Sequence, residues 1–160
     1  PSLSAARLRA DVERRRIAGI EPGAKSGSAL GAGLYSEETT RRTYERLLRC
    51  AADALEGGHS VVVDATLLRG RQRAPFAALA ARFGVECLSI RCTADPAVLE
   101  RRIRERQAEA TDPSEATLEV LQWQRGQDEP PTDAEGCAAL QLDTSDDRAV
   151  QALLARLAQR

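Results

Sequence analysis

Ser60-Val61-Val62-Val63-Asp64-Ala65-Thr66 is the stretch that decides the fold class. Three β-branched residues in succession favour an extended chain. A short apolar run without polar alternation belongs inside a sheet covered by helices on both faces. The run stops abruptly at a carboxylate and a hydroxyl. In open α/β sheets, ligands bind outside the carboxyl ends of the strands. Asp64 and Thr66 are therefore candidates for chemistry on a ligand or a metal-bound phosphate. The competing reading makes Asp64 no more than the cap of the following turn.

Outward from this strand, the chain alternates strands and helices. Upstream, Ala5 to Arg9 reads as a short strand and Val12 to Ile17 as a helical stretch. Residues 19–34 hold five glycines in sixteen positions, which is loop composition. Ser36 is placed to cap a helix whose first turn carries Glu37 and Glu38. Its apolar face is Tyr44, Leu47, Leu48, Ala51 and Leu55, and Gly57-Gly58 ends it.

Downstream, Gln72 to Phe83 reads as a helix stopped by Gly84, and Val85 to Cys92 as a strand. Asp95-Pro96 is a cap followed by a first-turn proline, opening a helix to about Ala108. A polar break at Thr111-Asp112-Pro113 leads to a helix from Ser114 to about Arg125. Gln127 to Gly136 is an acidic, proline-containing loop. Ala138 to Leu142 is a last strand, and Ser145 is expected to cap the final helix to Ala158. Alternation at this spacing predicts an α/β fold with a mostly parallel sheet, with residues 1–160 as one domain.

Composition narrows the partners. Net charge is −1, and Lys25 is the only lysine among 23 basic residues, so no global basic field draws nucleic acid or a membrane. The aromatics, Tyr35, Tyr44, Phe76, Phe83 and Trp123, are scattered, unlike the stacking platforms of single-strand binders. Cys50, Cys87, Cys92 and Cys137 form no C-x-x-C pair, and His59 is the only histidine. Buried free thiols in a reducing cytoplasm are expected. The sequence carries no long apolar span or signal peptide, which makes a soluble cytoplasmic protein the expectation.

Phosphoryl transfer on such a sheet needs a G-x-x-x-x-G-K-[ST] loop whose backbone N–H groups wrap the phosphates. The nearest match, Gly19 to Ser26, has Ala24 where glycine is required. A charged segment rather than a buried strand precedes it, and a glycine-rich segment rather than a helix follows. The sequence thus offers no phosphate loop.

Two charged clusters remain. On the helix from Asp95 to Ala108, Leu99 and Ile103 mark the buried stripe. Arg102 and Arg106 flank that stripe at i,i+4, while Arg101 and Arg104 fall on the solvent side. The flanking pair either grips phosphate oxygens or belongs to a solvated helix neutralised by Glu100 and Glu105. Asp11-Val12-Glu13-Arg14-Arg15-Arg16 likewise follows a strand end. Asp11 is either a helix cap or a general base accepting the proton of an attacking hydroxyl, with Arg14 holding the substrate. Arg15 and Arg16 are expected on the exposed face.

Together the pieces resemble small P-loop kinases. Arg9 to Arg14 is similar to their "R-S-D-V-x-R" segment, and Gly31 to Ser36 to their "G-x-G-x-Y-[ST]" loop. Val61 to Leu68 is similar to "V-I-V-D-A-T-F-L", and Arg101 to Gln107 to the lid helix. Asp112 to Ala116 is similar to "D-x-S-E-A", and Leu142-Asp143-Thr144 to the terminal "V-D-T". The group is the AAA-like ATP-binding kinase domain, related to polynucleotide kinase and zeta-toxin-like kinases. It is often fused behind an aminoglycoside-phosphotransferase-like domain.

The resemblance implies a three-layer P-loop NTPase-like fold in which the first strand and phosphate loop are absent from this chain. It also implies an ATP- and Mg2+-dependent phosphotransferase acting on an unknown hydroxyl acceptor, inactive as this piece alone. Asp11 would be the base and Arg14 an acceptor contact. Asp64, with Thr66 beside it, would sit near the metal and phosphates. Arg102 and Arg106 would close over the triphosphate, and Asp143 and Thr144 would lie near the adenine. The alternatives are a degenerate nucleotide-fold module with an interaction role and, least favoured, a binder of nucleic-acid ends through Arg clusters at 14–16, 69–73 and 101–106.

Overall fold

The computed structural model describes residues 4–21, 35–109 and 117–158. The strands are β1 (Ala5–Arg9), β2 (Ser60–Asp64), β3 (Leu88–Thr93) and β4 (Ala138–Asp143). The helices are α1 (Ala10–Ile17), α2 (Glu37–Glu56), α3 (Gly70–Phe83), α4 (Pro96–Glu109), α5 (Leu118–Arg125) and α6 (Asp147–Leu157).

Local chemistry sets these boundaries. The Thr39 N–H donates to Ser36 Oγ at 3.2 Å, closing the start of α2 with acidic Glu37 and Glu38 in the first turn. Thr43 and Leu47 on α2 are fully buried, and the Thr43 hydroxyl is satisfied by the Thr39 carbonyl at 2.7 Å. Gly84 ends α3 at φ 64°, a left-handed cap that costs glycine nothing. The Ala97 N–H donates to Asp95 Oδ1 at 2.8 Å at the head of α4, as the Asp-Pro pair predicts.

Both strand pairings are parallel. β1 pairs with β2 so that Arg9 lies beside Asp64, and β3 pairs with β4 so that Thr93 lies beside Asp143. The carboxyl ends of each pair are therefore level. Among the described residues no strand joins β2 to β3, so the sheet is two half-sheets. Val62 and Ile90, in the middles of these two strands, are 40% and 36% exposed. The expected burial of β2 on both faces is thus corrected: Val61 and Val63 are half-buried while Val62 is open.

Other expectations change as well. β3 begins at Leu88 rather than Val85, which is 42% exposed. The cap of α5 is Thr117, whose hydroxyl accepts from the Val120 N–H at 3.3 Å, while the expected start at Ser114 lies outside the described residues. Asp146, not Ser145, caps α6, accepting from the Arg148 N–H at 2.9 Å. Ser145 Oγ instead accepts from the Asp95 N–H at 3.1 Å and ties the ends of β3 and β4 together. Cys87 and Cys137 form a disulfide with a Cα separation of 4.6 Å, against the expectation of free thiols, while Cys50 and Cys92 stay free. The two bonded cysteines meet because the Ala138 N–H donates to the Cys87 carbonyl at 2.9 Å where the β3–β4 ladder opens.

Candidate functional site

Both half-sheets present their sequence-predicted side chains at carboxyl ends. On the β1–β2 half, Asp64 closes β2 and faces two arginines of β1. Arg7 reaches its Oδ2 at 2.5 Å through one terminal nitrogen and 3.2 Å through Nε, and Arg9 Nε lies 3.7 Å away. Register explains this: Arg9 is the lateral partner of Asp64, and Arg7 lies two residues back on the same face. Asp64 is therefore a half-exposed carboxylate in a cationic setting. Just past it, the Thr66 hydroxyl lies 3.3 Å from the Tyr44 hydroxyl of α2. Tyr44 is thus more than the apolar-face residue its helical spacing indicates.

Asp11 lies in the first turn of α1, one residue inside the helix, so it is not the cap. Its Oδ1 accepts from Arg14 at 3.3 Å. Arg14 is buried, its guanidinium lies 5.3 Å from the centre of the Tyr35 ring, and its buried Nε has no partner among the described residues. Arg15 is buried too, contrary to the exposed position expected of it. Glu13, almost fully buried, draws in Arg16 from its own helix and Arg46 from α2. That pairing fixes α1 against α2 and sets where Asp11 and Arg14 stand.

On the β3–β4 half, Arg102 of α4 donates to the Thr144 hydroxyl at 2.8 Å and to the Thr144 carbonyl at 2.7 Å. The structure thus brings together a predicted phosphate-side residue and a predicted adenine-side residue. Asp143 Oδ1 accepts from the Ser145 N–H at 2.8 Å and shapes the turn after β4. Arg106 is half-buried on the same helix. Arg101 and Arg104 face solvent beside Glu105 and Glu100, as the helical spacing predicts.

The Cys92 thiol near the end of β3 is pushed above its ordinary value, first by desolvation and then by the charge of Asp64. Among the described residues no three His, Cys, Asp or Glu side chains gather as a metal cage. A Mg2+ ion held through nucleotide phosphates takes only one or two protein carboxylates, and the single Asp64 carboxylate with the Thr66 hydroxyl beside it fits that demand. The 22–34 and 110–116 stretches, including Lys25, most of the near-match to a phosphate loop and Asp112 to Ala116, lie outside the described residues. No helix among the described residues is long and apolar enough to cross a membrane.

A family model described as an AAA domain matches residues 2–131. The chain is 37% identical over 114 residues to the uncharacterized proteins Rv2004c of Mycobacterium tuberculosis and Mb2027c of Mycobacterium bovis. That match covers 69% of this chain and 21% of each relative, so the chain spans about a fifth of their length. Among solved structures it is similar to a protein of Chloroflexus aurantiacus described as a "putative kinase", with TM-score 0.64 and 20% identity over 95% of this chain and 83% of that one. At that identity the likeness concerns the fold.

Proposed function

The chain belongs to the AAA domain family, and from that premise we propose that it is the acceptor- and lid-bearing part of an ATP-dependent phosphotransferase. The single observation that carries the proposal is the grouping of polar side chains at the carboxyl ends of two parallel strand pairs. Asp11, Arg14, Asp64 and Thr66 gather at one pair and Arg102 and Thr144 at the other. The kinase description of the structural neighbour agrees with it.

In this proposal Asp11 takes the proton of the acceptor hydroxyl as its oxygen bonds to the γ-phosphorus, the bond from that phosphorus to the β–γ bridging oxygen breaks, and ADP leaves. Arg14, held between Asp11 and Tyr35, positions the acceptor. Asp64 and Thr66 are the residues that would hold magnesium, which when bound neutralises charge on the β- and γ-phosphates. Arg102 and Arg106 face the triphosphate and stabilise charge on the transferring group. Asp143 and Thr144 border the base. ATP is the donor, and the acceptor is a small or polymeric alcohol. The near-match Gly19 to Ser26 departs from the phosphate-loop motif at Ala24, and the proposal has the loop supplied by a strand–loop–helix unit outside these 160 residues, standing beside β2 and β3. Fusion behind an aminoglycoside-phosphotransferase-like domain and a cytoplasmic location belong to the same proposal.

A second reading, a nucleotide-fold module without catalysis, is favoured by one feature. Arg7 and Arg9 already neutralise Asp64, the carboxylate the metal would need. The two readings separate in Mg-ATP binding and turnover, measured on residues 1–160 and on a chain extended with the in-frame upstream coding sequence. Turnover by the extended chain supports the phosphotransferase. Binding and turnover absent from both would leave the module.

A further inference from the structure

Residues 127–135 join the two half-sheets through side chains. Toward the β2 half, Gln127 accepts from Arg69, and Glu129 Oε2 accepts from the Gly70 N–H at 2.8 Å. The Glu129 N–H donates to the Leu68 carbonyl at 2.8 Å. Glu135 takes Arg73 in a two-point pair, 2.7 Å at each oxygen. Toward the other half, Asp128 pairs with Arg91 of β3, which also donates to Gln141 of β4 at 3.1 Å. One short acidic segment therefore holds the loop after β2 and the start of α3 with three side chains, and β3 with a fourth.

What it holds is strained. Leu67 has φ 41°, the only non-glycine residue with a positive φ among the described residues. A leucine in the left-handed region persists only where its surroundings impose it. Arg73 does so, donating its remaining terminal nitrogen to the Leu67 carbonyl at 2.8 Å. Gly70 lies close under these carboxylates: a Cβ there would stand 3.3 Å from Glu135 Oε1, a tight contact, and 3.7 Å from Glu129 Oε2, an ordinary one. Leu67 directly follows Thr66, so the bond that fixes it also fixes the turn carrying Asp64 and Thr66.

We propose that residues 127–135 are a strap that positions the Asp64–Thr66 turn, that Arg73 is its positioning residue, and that the strap couples this turn to the half-sheet carrying Arg102 and Thr144. Its catalytic consequence rests on the phosphotransferase reading, while its mechanical part does not. The strap makes the geometry on the Asp64 side depend on β3, with which β2 shares no backbone ladder among the described residues.

Amide hydrogen exchange on residues 1–160 tests the mechanical part. Arg73→Lys keeps the charge but loses the two-point pair. It is expected to speed exchange at residues 67–70 by about tenfold while α2 and α6 keep their rates. Arg91→Ala, which cuts the far end of the strap together with the bond to Gln141, is expected to speed the same amides by about threefold. Unchanged exchange at 67–70 in Arg73→Lys, or equal acceleration everywhere, overturns the strap. Unchanged exchange there in Arg91→Ala overturns the coupling.

In the extended chain, Arg73→Lys is expected to lower kcat for Mg-ATP turnover by about tenfold with KM held. A full kcat in that variant overturns Arg73 as a positioning residue. If the unaltered extended chain lacks turnover but 67–70 responds in exchange, the phosphotransferase reading fails and the strap stands.

Discussion

Arg102 and Thr144, 42 residues apart, are locked by two hydrogen bonds, one to the hydroxyl at 2.8 Å and one to the carbonyl at 2.7 Å. The Thr144 hydroxyl in turn donates to the Thr93 carbonyl at 2.9 Å. The arginine helix is thereby docked where β3 and β4 end, rather than standing free above the site. Arg102→Ala is expected to weaken Mg-ATP binding by the extended chain about five- to tenfold, the scale of one lost hydrogen bond of about 1–1.5 kcal/mol. Because the contact is exposed, the thermal midpoint should hardly move. Titration calorimetry beside a melting curve separates the two. An unaltered affinity removes Arg102 from the nucleotide side.

Asp64 and Arg7 make opposite predictions for activity and similar ones for stability. Arg7 is 62% exposed and Asp64 44%, so their ion pair contributes less than about 1 kcal/mol. Neither Asp64→Asn nor Arg7→Ala should shift the urea midpoint appreciably. In turnover they part. Asp64→Asn is expected to cost at least about a hundredfold, the scale of losing a charge aimed at the reacting group. Arg7→Ala, which removes the nearer of the two arginines on the carboxylate, should leave turnover intact or raise it. Equal losses in both variants would mean that the pair is structural.

The sequence made the strands and their ends legible because those features are local. A β-branched run, a Ser cap before Glu37 and Glu38, and Gly84 after an apolar helix each act within a few residues. Leu47 and Ile103 fall inside as their helical spacing requires. What was not legible is set by partners far away in sequence. Nothing near Glu13 says that Arg46 will come to it from α2. Tyr44 sits on a helical apolar face, yet its hydroxyl meets Thr66 because α2 crosses the end of β2. The Glu135 carboxylate looks like ordinary loop charge until Arg73 is seen beside it, 62 residues upstream. Val62 reads as buried because its neighbours are valines, and it is open because β2 has one strand partner among the described residues rather than two.

The disulfide between Cys87 and Cys137 closes a loop of about fifty residues that contains Arg91, α4, α5 and the strap. Constraining such a loop in the unfolded chain contributes about 2–4 kcal/mol. Reduction with a small dithiol, or the double change Cys87→Ser and Cys137→Ser, should therefore lower the urea midpoint clearly. Cys50→Ser should not, since that thiol is free. Thiol counting under denaturing conditions, before and after reduction, provides the companion check. Four free thiols before reduction would show that the bond is not formed in solution.

Glu135 supplies a pH prediction whose sign follows from its partner. The hydrogen bond from Arg73 holds its carboxyl below the ordinary value of 4.5, against a smaller opposing effect of burial. Arg73 is shifted upward by the same bond and stays charged throughout the accessible range. A group whose folded value is depressed adds stability that is fully present above its unfolded value and is lost as pH falls through the folded one. The contribution of Glu135 is thus constant at neutral pH and disappears on acidification through and below 4.5. Glu135→Gln should be less stable than the unaltered chain at about pH 7, and the gap should narrow toward about pH 3. Glu38→Gln is the control. Its carboxyl is lowered chiefly by its hydrogen bond with Arg41, but that pair is solvent-exposed on α2, where screening leaves little stability to lose. Urea unfolding of the three proteins across this range reads the difference directly. A gap between Glu135→Gln and the unaltered chain that stays constant down to about pH 3 would mean that the Arg73 pair does not stabilise the folded state through the Glu135 charge.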